Sequence, residues 1–84
     1  MTYCVYVIEN KSGRRYVGCS ANVQRRLVEH NSGISTWTRG KGPWHLVWIR
    51  ANLSLSDARK LENLLKRQGR GVGFYKITGL STPG

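Results

Sequence analysis

Tyr3-Cys4-Val5-Tyr6-Val7-Ile8, then Asn10-Lys11-Ser12-Gly13, then Arg15-Tyr16-Val17-Gly18: this opening stretch decides the fold. The first run is apolar, β-branched and aromatic, the composition of a strand that packs well on a pleated surface. The second carries turn chemistry, with Gly13 available for a positive φ. The third resumes strand character. Two short strands around a polar turn predict a β-hairpin.

Working outward, Asn22 to Ser32 reads as a helix with Gly33 as its stop residue. Gly33 to Pro43 is a basic, glycine-rich loop, and His45 to Ile49 reads as a third, well-buried strand. Ser54 can cap a second long helix, with Asp57 three residues on, running to Arg67 or Gln68 before Gly69 and Gly71 end it. Phe74 to Leu80 has core-capable residues and fits either a strand or a short helix. The order β-β-α-β-α predicts an α+β fold, a small three-stranded, mainly antiparallel sheet flanked by helices. With 84 residues there is room for one domain, spanning 1–84, and no repeat or linker divides it. The closing Thr82-Pro83-Gly84 leaves room for a longer parent protein.

Charge narrows the function. Fourteen Lys and Arg face four acids, Glu9, Glu29, Asp57 and Glu62, for a formal net charge of +10. Surfaces of this kind take phosphate polymers or anionic membranes as partners. Nucleic acid, DNA or RNA, is the partner that the charge points to, and a basic ribosome-associated protein is the bland alternative. No stretch approaches transmembrane length and no apolar leader segment is seen, so no membrane role is expected. Cys4 and Cys19 form neither a metal-ligand spacing nor a disulfide framework. They are expected as free, buried or half-buried thiols in a reducing cytoplasm, nucleoid-associated in a bacterium or nuclear in a eukaryote, in a monomeric protein.

Helix projection supplies the sharpest signal. In the second helix Leu55, Ala58, Leu61, Leu64 and Leu65 form the apolar stripe, and Glu62 falls inside it, about 40° from Ala58 and about 60° from Leu65. A carboxylate on a packing face is costly unless paired or bound to a cation. In the first helix Val23 and Leu27 mark the inner stripe, and Arg26 and His30 share its sector at a spacing of four. Arg25 points outward. Two readings stay open: an Arg26–Glu62 ion pair with a satisfied core histidine, or a functional site.

These residues resemble the GIY-YIG endonucleases. The two tripeptides of the family name correspond to Cys4-Val5-Tyr6 and Tyr16-Val17-Gly18. Arg25-Arg26-Leu27-Val28-Glu29-His30-Asn31-Ser32-Gly33 is similar to the family's first helix. Trp37-Thr38-Arg39-Gly40-Lys41-Gly42-Pro43-Trp44 and Leu46-Val47-Trp48 resemble its small stand-alone bacterial members and its junction-cutting nuclease domains. Asp57-Ala58-Arg59-Lys60-Leu61-Glu62-Asn63-Leu64-Leu65-Lys66 resembles the helix that carries the family's metal-binding glutamate. The resemblance covers about Tyr3 to Lys66. Cys4 stands where the family often has glycine, and Cys19 where some members have lysine. An asparagine expected after the glutamate helix has no match in Gly-Arg-Gly-Val-Gly-Phe.

The resemblance implies a metal-dependent DNA endonuclease, using one Mg²⁺ or Mn²⁺, structure-selective toward single-stranded, branched or damaged DNA and possessing little sequence specificity. It implies that Tyr6 activates water as base or proton relay, with Arg26 and the metal depressing its pKa. Tyr16 positions water or phosphate, Arg26 grips the scissile phosphate, His30 hydrogen-bonds the water, Tyr6 or the phosphate, and Glu62 holds the metal. Trp37, Arg39, Lys41 and Trp44 form an aromatic-basic loop suited to phosphate contact and base stacking, Trp44 serving equally well as a core anchor. Lys60, Lys66, Arg67 and Arg70 are expected to attract DNA diffusely. The competing reading is a non-catalytic nucleic-acid-binding module on the same fold.

Overall fold

A computed structural model describes residues 1–33, 40–68 and 72–80. The hairpin forms as expected: β1 (Tyr3–Glu9) and β2 (Arg15–Ser20) pair antiparallel, with Tyr6 opposite Gly18 and Ile8 opposite Tyr16. Asn10 builds the turn. Its side-chain oxygen accepts from the backbone N–H groups of Ser12 (3.0 Å) and Arg14 (2.9 Å). The strand ends are closed by Arg15 Nε donating to Glu9 at 2.8 Å, with the same guanidinium stacked 5.8 Å from the Phe74 ring.

Helix α1 (Val23–Asn31) starts at Asn22, whose side chain accepts from the Arg25 N–H, and ends with Gly33 at φ 83°, a left-handed stop that needs no Cβ. Strand β3 (His45–Leu53) then pairs antiparallel with β1, giving the order β2-β1-β3. Helix α2 (Leu55–Gln68) begins where Ser54 Oγ accepts from the Asp57 N–H at 3.1 Å. Helix α3 (Val72–Thr78) resolves the stretch that the sequence left between strand and helix. Phe74 and Ile77, three residues apart, reach the same core, a spacing that only a helix brings to one side.

Because β1 lies in the middle, it is buried on both faces. Val5, Val7 and Val17 pack with Ala58 and Leu65 of α2 and Phe74 of α3. Tyr6 and Ile8 point the other way, against Val23 of α1 and Trp44. Of the two roles open to Trp44, the structure gives it the core: it is 4 % exposed, and Asn31 grips its backbone from both sides, accepting from N–H (2.6 Å) and donating to C=O (3.2 Å).

One expectation fails. The third strand is not well buried. It is an edge strand with Leu46 and Ile49 41 % and 44 % exposed, and only Val47, Trp48 and Leu53 turn partly into the core. The reason is lateral: among the described residues the helix on that face, α1, packs mainly on β1 and β2. Leu55, counted in the α2 stripe, is likewise 41 % exposed, whereas Leu65 is fully buried. Replacing Leu65 by Ala is expected to cost about 2–5 kcal/mol in urea unfolding, and Leu55→Ala less than about 1 kcal/mol.

Candidate active site

The site is built around the edge strand β2. Tyr6, in the middle of β1, lies across it: the phenol covers the backbone of Gly18, and a Cβ at that position would run into Tyr6 Oη and Cζ. This explains why a glycine stands opposite the tyrosine. The ring continues to α1, where Oη lies 2.9 Å from His30 Nε2, both side chains being 1 % exposed. The Arg26 guanidinium, one turn earlier on the same helix face, lies near enough for its charge to act on the phenol. The i, i+4 pair therefore acts on one group, the hydroxyl of Tyr6, which His30 bonds and the Arg26 charge reaches.

The protonation states follow from burial. Burial raises the Tyr6 pKa above 10.0, and the nearby Arg26 guanidinium opposes that shift without reversing it. In the protein alone, loss of solvation outweighs one guanidinium, and the phenol is raised. Burial also lowers His30 below 6.5, helped by the positive charge of Arg26 and resisted by Glu29. Near neutral pH the pair is a phenol and a neutral imidazole. In the tautomer of the neutral imidazole that carries its proton on Nδ1, Nε2 accepts the phenol hydrogen.

Arg26 is itself held. Its Nη1 lies 2.6 Å from Glu29 Oε1, and that bond raises the guanidinium pKa above its usual value. Arg25, 72 % exposed, approaches the same carboxylate at 3.7 Å. Glu29 was missed in the sequence, although its spacing of three and four from the two arginines is the signal that would have found it. The alternative of an Arg26–Glu62 pair is not formed: each charge finds a partner on its own helix.

Tyr16, opposite Ile8 on β2, sets its ring 4.8 Å from the His30 ring. On its other side is α2. Lys66 Nζ lies 5.9 Å from the Tyr16 ring centre and 3.1 Å from Glu62 Oε2. The Glu62 side chain is 19 % exposed, and its charge reaches Tyr6 and the Cys19 thiol, whose pKa is raised first by burial and then by that carboxylate. Cys4 and Cys19 are free and half-buried. The structure brings Tyr6, Tyr16, Arg26, His30, Glu62 and Lys66 to one edge of the sheet. Arg67 is exposed on α2, and Lys41 is exposed with its carbonyl held by Asn10 Nδ2 at 2.9 Å. Trp37, Arg39 and Arg70 lie outside the described residues.

Among the described residues no three His, Cys, Asp or Glu side chains gather into a metal cluster. The donor chemistry at this edge is one carboxylate, Glu62. A hard divalent ion that keeps most of its water fits such a donor, and a structural zinc ion does not. Beside His30 an open hollow of about 520 Å³ runs between the end of α1 and the Gly40–Pro43 segment, large enough for part of an extended ligand.

Two predictions follow from the buried pair. In Gly18→Ala the phenol must leave its place, so stability should drop by about 1–3 kcal/mol, and Tyr6 should ionise closer to 10, read by ultraviolet titration against Tyr6→Phe. Stability should also narrow at both ends of the pH range. His30 is depressed on folding, so its contribution is complete above 6.5 and is lost as pH falls from there through the folded value. Tyr6 is raised, so its contribution is complete below 10.0 and is lost as pH rises through the folded value above it. Thermal melts across pH, with the His30 ring followed by NMR to a midpoint below 6.5, check both signs.

Residues 2–74 match the model of the GIY-YIG catalytic domain. The UPF0213 protein BH0048 of Halalkalibacterium halodurans is 38 % identical over 71 residues, covering 83 % of this chain and 76 % of that protein. A UPF0213 protein of Halobacterium salinarum is 40 % identical over 67 residues, 79 % of this chain and 87 % of its own. The solution NMR structure of the UPF0213 protein BH0048 from Bacillus halodurans shares the fold with a TM-score of 0.53 at 34 % identity, covering 99 % of this chain and 100 % of that one. With the family model spanning most of its length and more than a third of the aligned residues shared with these relatives, the chain belongs to the GIY-YIG family.

Proposed function

We propose that the protein is a divalent-metal-dependent DNA endonuclease whose proton acceptor is His30, reached through Tyr6. The observation that carries this reading is the position of the Tyr6 hydroxyl, bonded to His30 Nε2 at 2.9 Å and under the influence of the Arg26 charge. Hydrolysis of a phosphodiester needs water deprotonated at a site near the phosphorus. A phenol held above its usual pKa is a poor base by itself. Joined to a neutral imidazole, it can take a proton from water as it passes its own to Nε2, and no net charge stays on the ring. Tyr16, packed beside His30, offers its hydroxyl to the same water or to a phosphate oxygen. Arg26 has the planar fork suited to the phosphate, and Glu29 keeps it charged and aimed at Tyr6.

Glu62 would hold the divalent ion, Mg²⁺ or Mn²⁺. When bound, such an ion neutralises charge on phosphoryl oxygens and stabilises the leaving oxygen. Lys41, Lys66 and Arg67, with Trp37, Arg39 and Arg70, supply the attraction for the DNA backbone, which a net charge of +10 makes long-ranged at low salt. Attraction of this kind, directed at the backbone and not at base edges, favours single-stranded, branched or damaged DNA over a particular sequence.

Labelled single strand, duplex, flap and four-way junction, each incubated with Mg²⁺, Mn²⁺ or EDTA, test the reading. Cleavage should require the metal and fall by about 10²–10⁴-fold in Tyr6→Phe and in Glu62→Ala. The rate should lose activity on the acid side with a midpoint below 6.5, where His30 takes a proton. Salt-sensitive binding with no cleavage under any metal would instead make the protein a binding module on a nuclease fold.

A further inference from the structure

Lys66 stands one helical turn beyond Glu62, and its ammonium lies 3.1 Å from the carboxylate. It is also 5.9 Å from the Tyr16 ring centre, which puts it inside the site. The carboxylate is sunk, at 19 % exposure, and the ammonium is half in solvent, at 49 %. A divalent cation approaching Glu62 meets this like charge first, and must displace it or share the carboxylate with it. A lysine ammonium on its flexible stem carries three rotatable donors and bonds a phosphate oxygen as readily as a carboxylate.

Resting on the assignment of Glu62 as the metal-holding carboxylate, we propose that Lys66 interlocks metal loading with DNA binding. In the free protein it neutralises Glu62 and holds the divalent ion off. A DNA phosphate arriving beside Tyr16 takes over the ammonium and leaves the carboxylate to the ion. By linkage, DNA then tightens metal binding and metal tightens DNA binding by the same factor. The pair is half in solvent, so the factor is modest, about three- to tenfold. The consequence is a nuclease that carries its metal chiefly when substrate is present.

The test is Mn²⁺ titration of the full chain without DNA, followed by electron paramagnetic resonance at low salt. Lys66→Met should bind Mn²⁺ about three- to tenfold more tightly than the native protein. Lys66→Arg, which keeps the charge and the pairing, should restore native affinity, and Lys60→Met, which removes an exposed charge from the same helix, should leave it unchanged. In a Tyr6→Phe background, fluorescence anisotropy at constant ionic strength should show Mn²⁺ raising DNA affinity by at least that factor, and Lys66→Met reducing the gain to what direct attraction between ion and phosphate supplies. An unchanged Mn²⁺ affinity in Lys66→Met, or an equal gain in Lys60→Met, overturns the interlock and leaves Glu62 as the metal ligand. Native Mn²⁺ affinity in Glu62→Gln overturns the Glu62 assignment itself, and the interlock with it.

Discussion

The structure turns on the space given to one phenol. Tyr6 sits buried on the central strand, and its ring needs a path to α1 over the adjacent strand. Gly18 supplies the path by having no side chain at the register position opposite. His30 and Arg26 supply its end, one turn apart on the buried side of α1. The buried oxygen is thereby satisfied, and no described buried side-chain N or O is left without a partner. Hairpin register, helix phase and glycine placement are thus three solutions to one packing problem, which is why they occur together.

The second constraint is that the polar groups come from both faces of the sheet. Tyr6, Tyr16, Arg26 and His30 belong to the α1 side, while Glu62 and Lys66 belong to α2, which packs with β1 and β2 on the other side. They meet because β2 is an edge strand. A polar cluster in mid-sheet would be sealed between helices, whereas at an edge the same side chains stay within reach of solvent and of a large ligand. The opposite edge, β3, has no comparable collection of charge, and its exposed Leu46 and Ile49 show where the helical cover stops.

Much of this was legible in the sequence. The hairpin, both long helices and their caps follow from local chemistry that acts over a few residues: an Asx turn at Asn10, a cap at Asn22, a cap at Ser54. Helix projection also placed Arg26, His30 and Glu62 inward, because the inward sector is a property of spacing. What failed depended on lateral order. His45 to Ile49 reads apolar enough for a buried strand, and only the knowledge that α1 covers β2 rather than β3 reveals an edge. Glycine-rich flanks hid α3, whose stability comes from Phe74 in the shared core rather than from propensity. The preference of Arg26 for Glu29 over Glu62 could have been seen from spacing. The raised phenol could not, since burial is a tertiary quantity.

That raised phenol bears on how a proton could leave water here. At pH 7 an ordinary phenol is ionised to about one part in a thousand, and burial makes the fraction smaller still. A mechanism that waits for the phenolate therefore spends most of its time with the wrong species. Transfer through the phenol to His30 avoids the charged ring but places an imidazolium close to Arg26, whose charge already depresses the histidine. Glu29 offsets part of that repulsion. A phosphodiester bound at Arg26 would offset more, because its negative charge falls between the two cations. On the reading proposed above, the pair is a weak relay in the free protein and a competent one once the phosphate is in place, so that substrate charge completes the base.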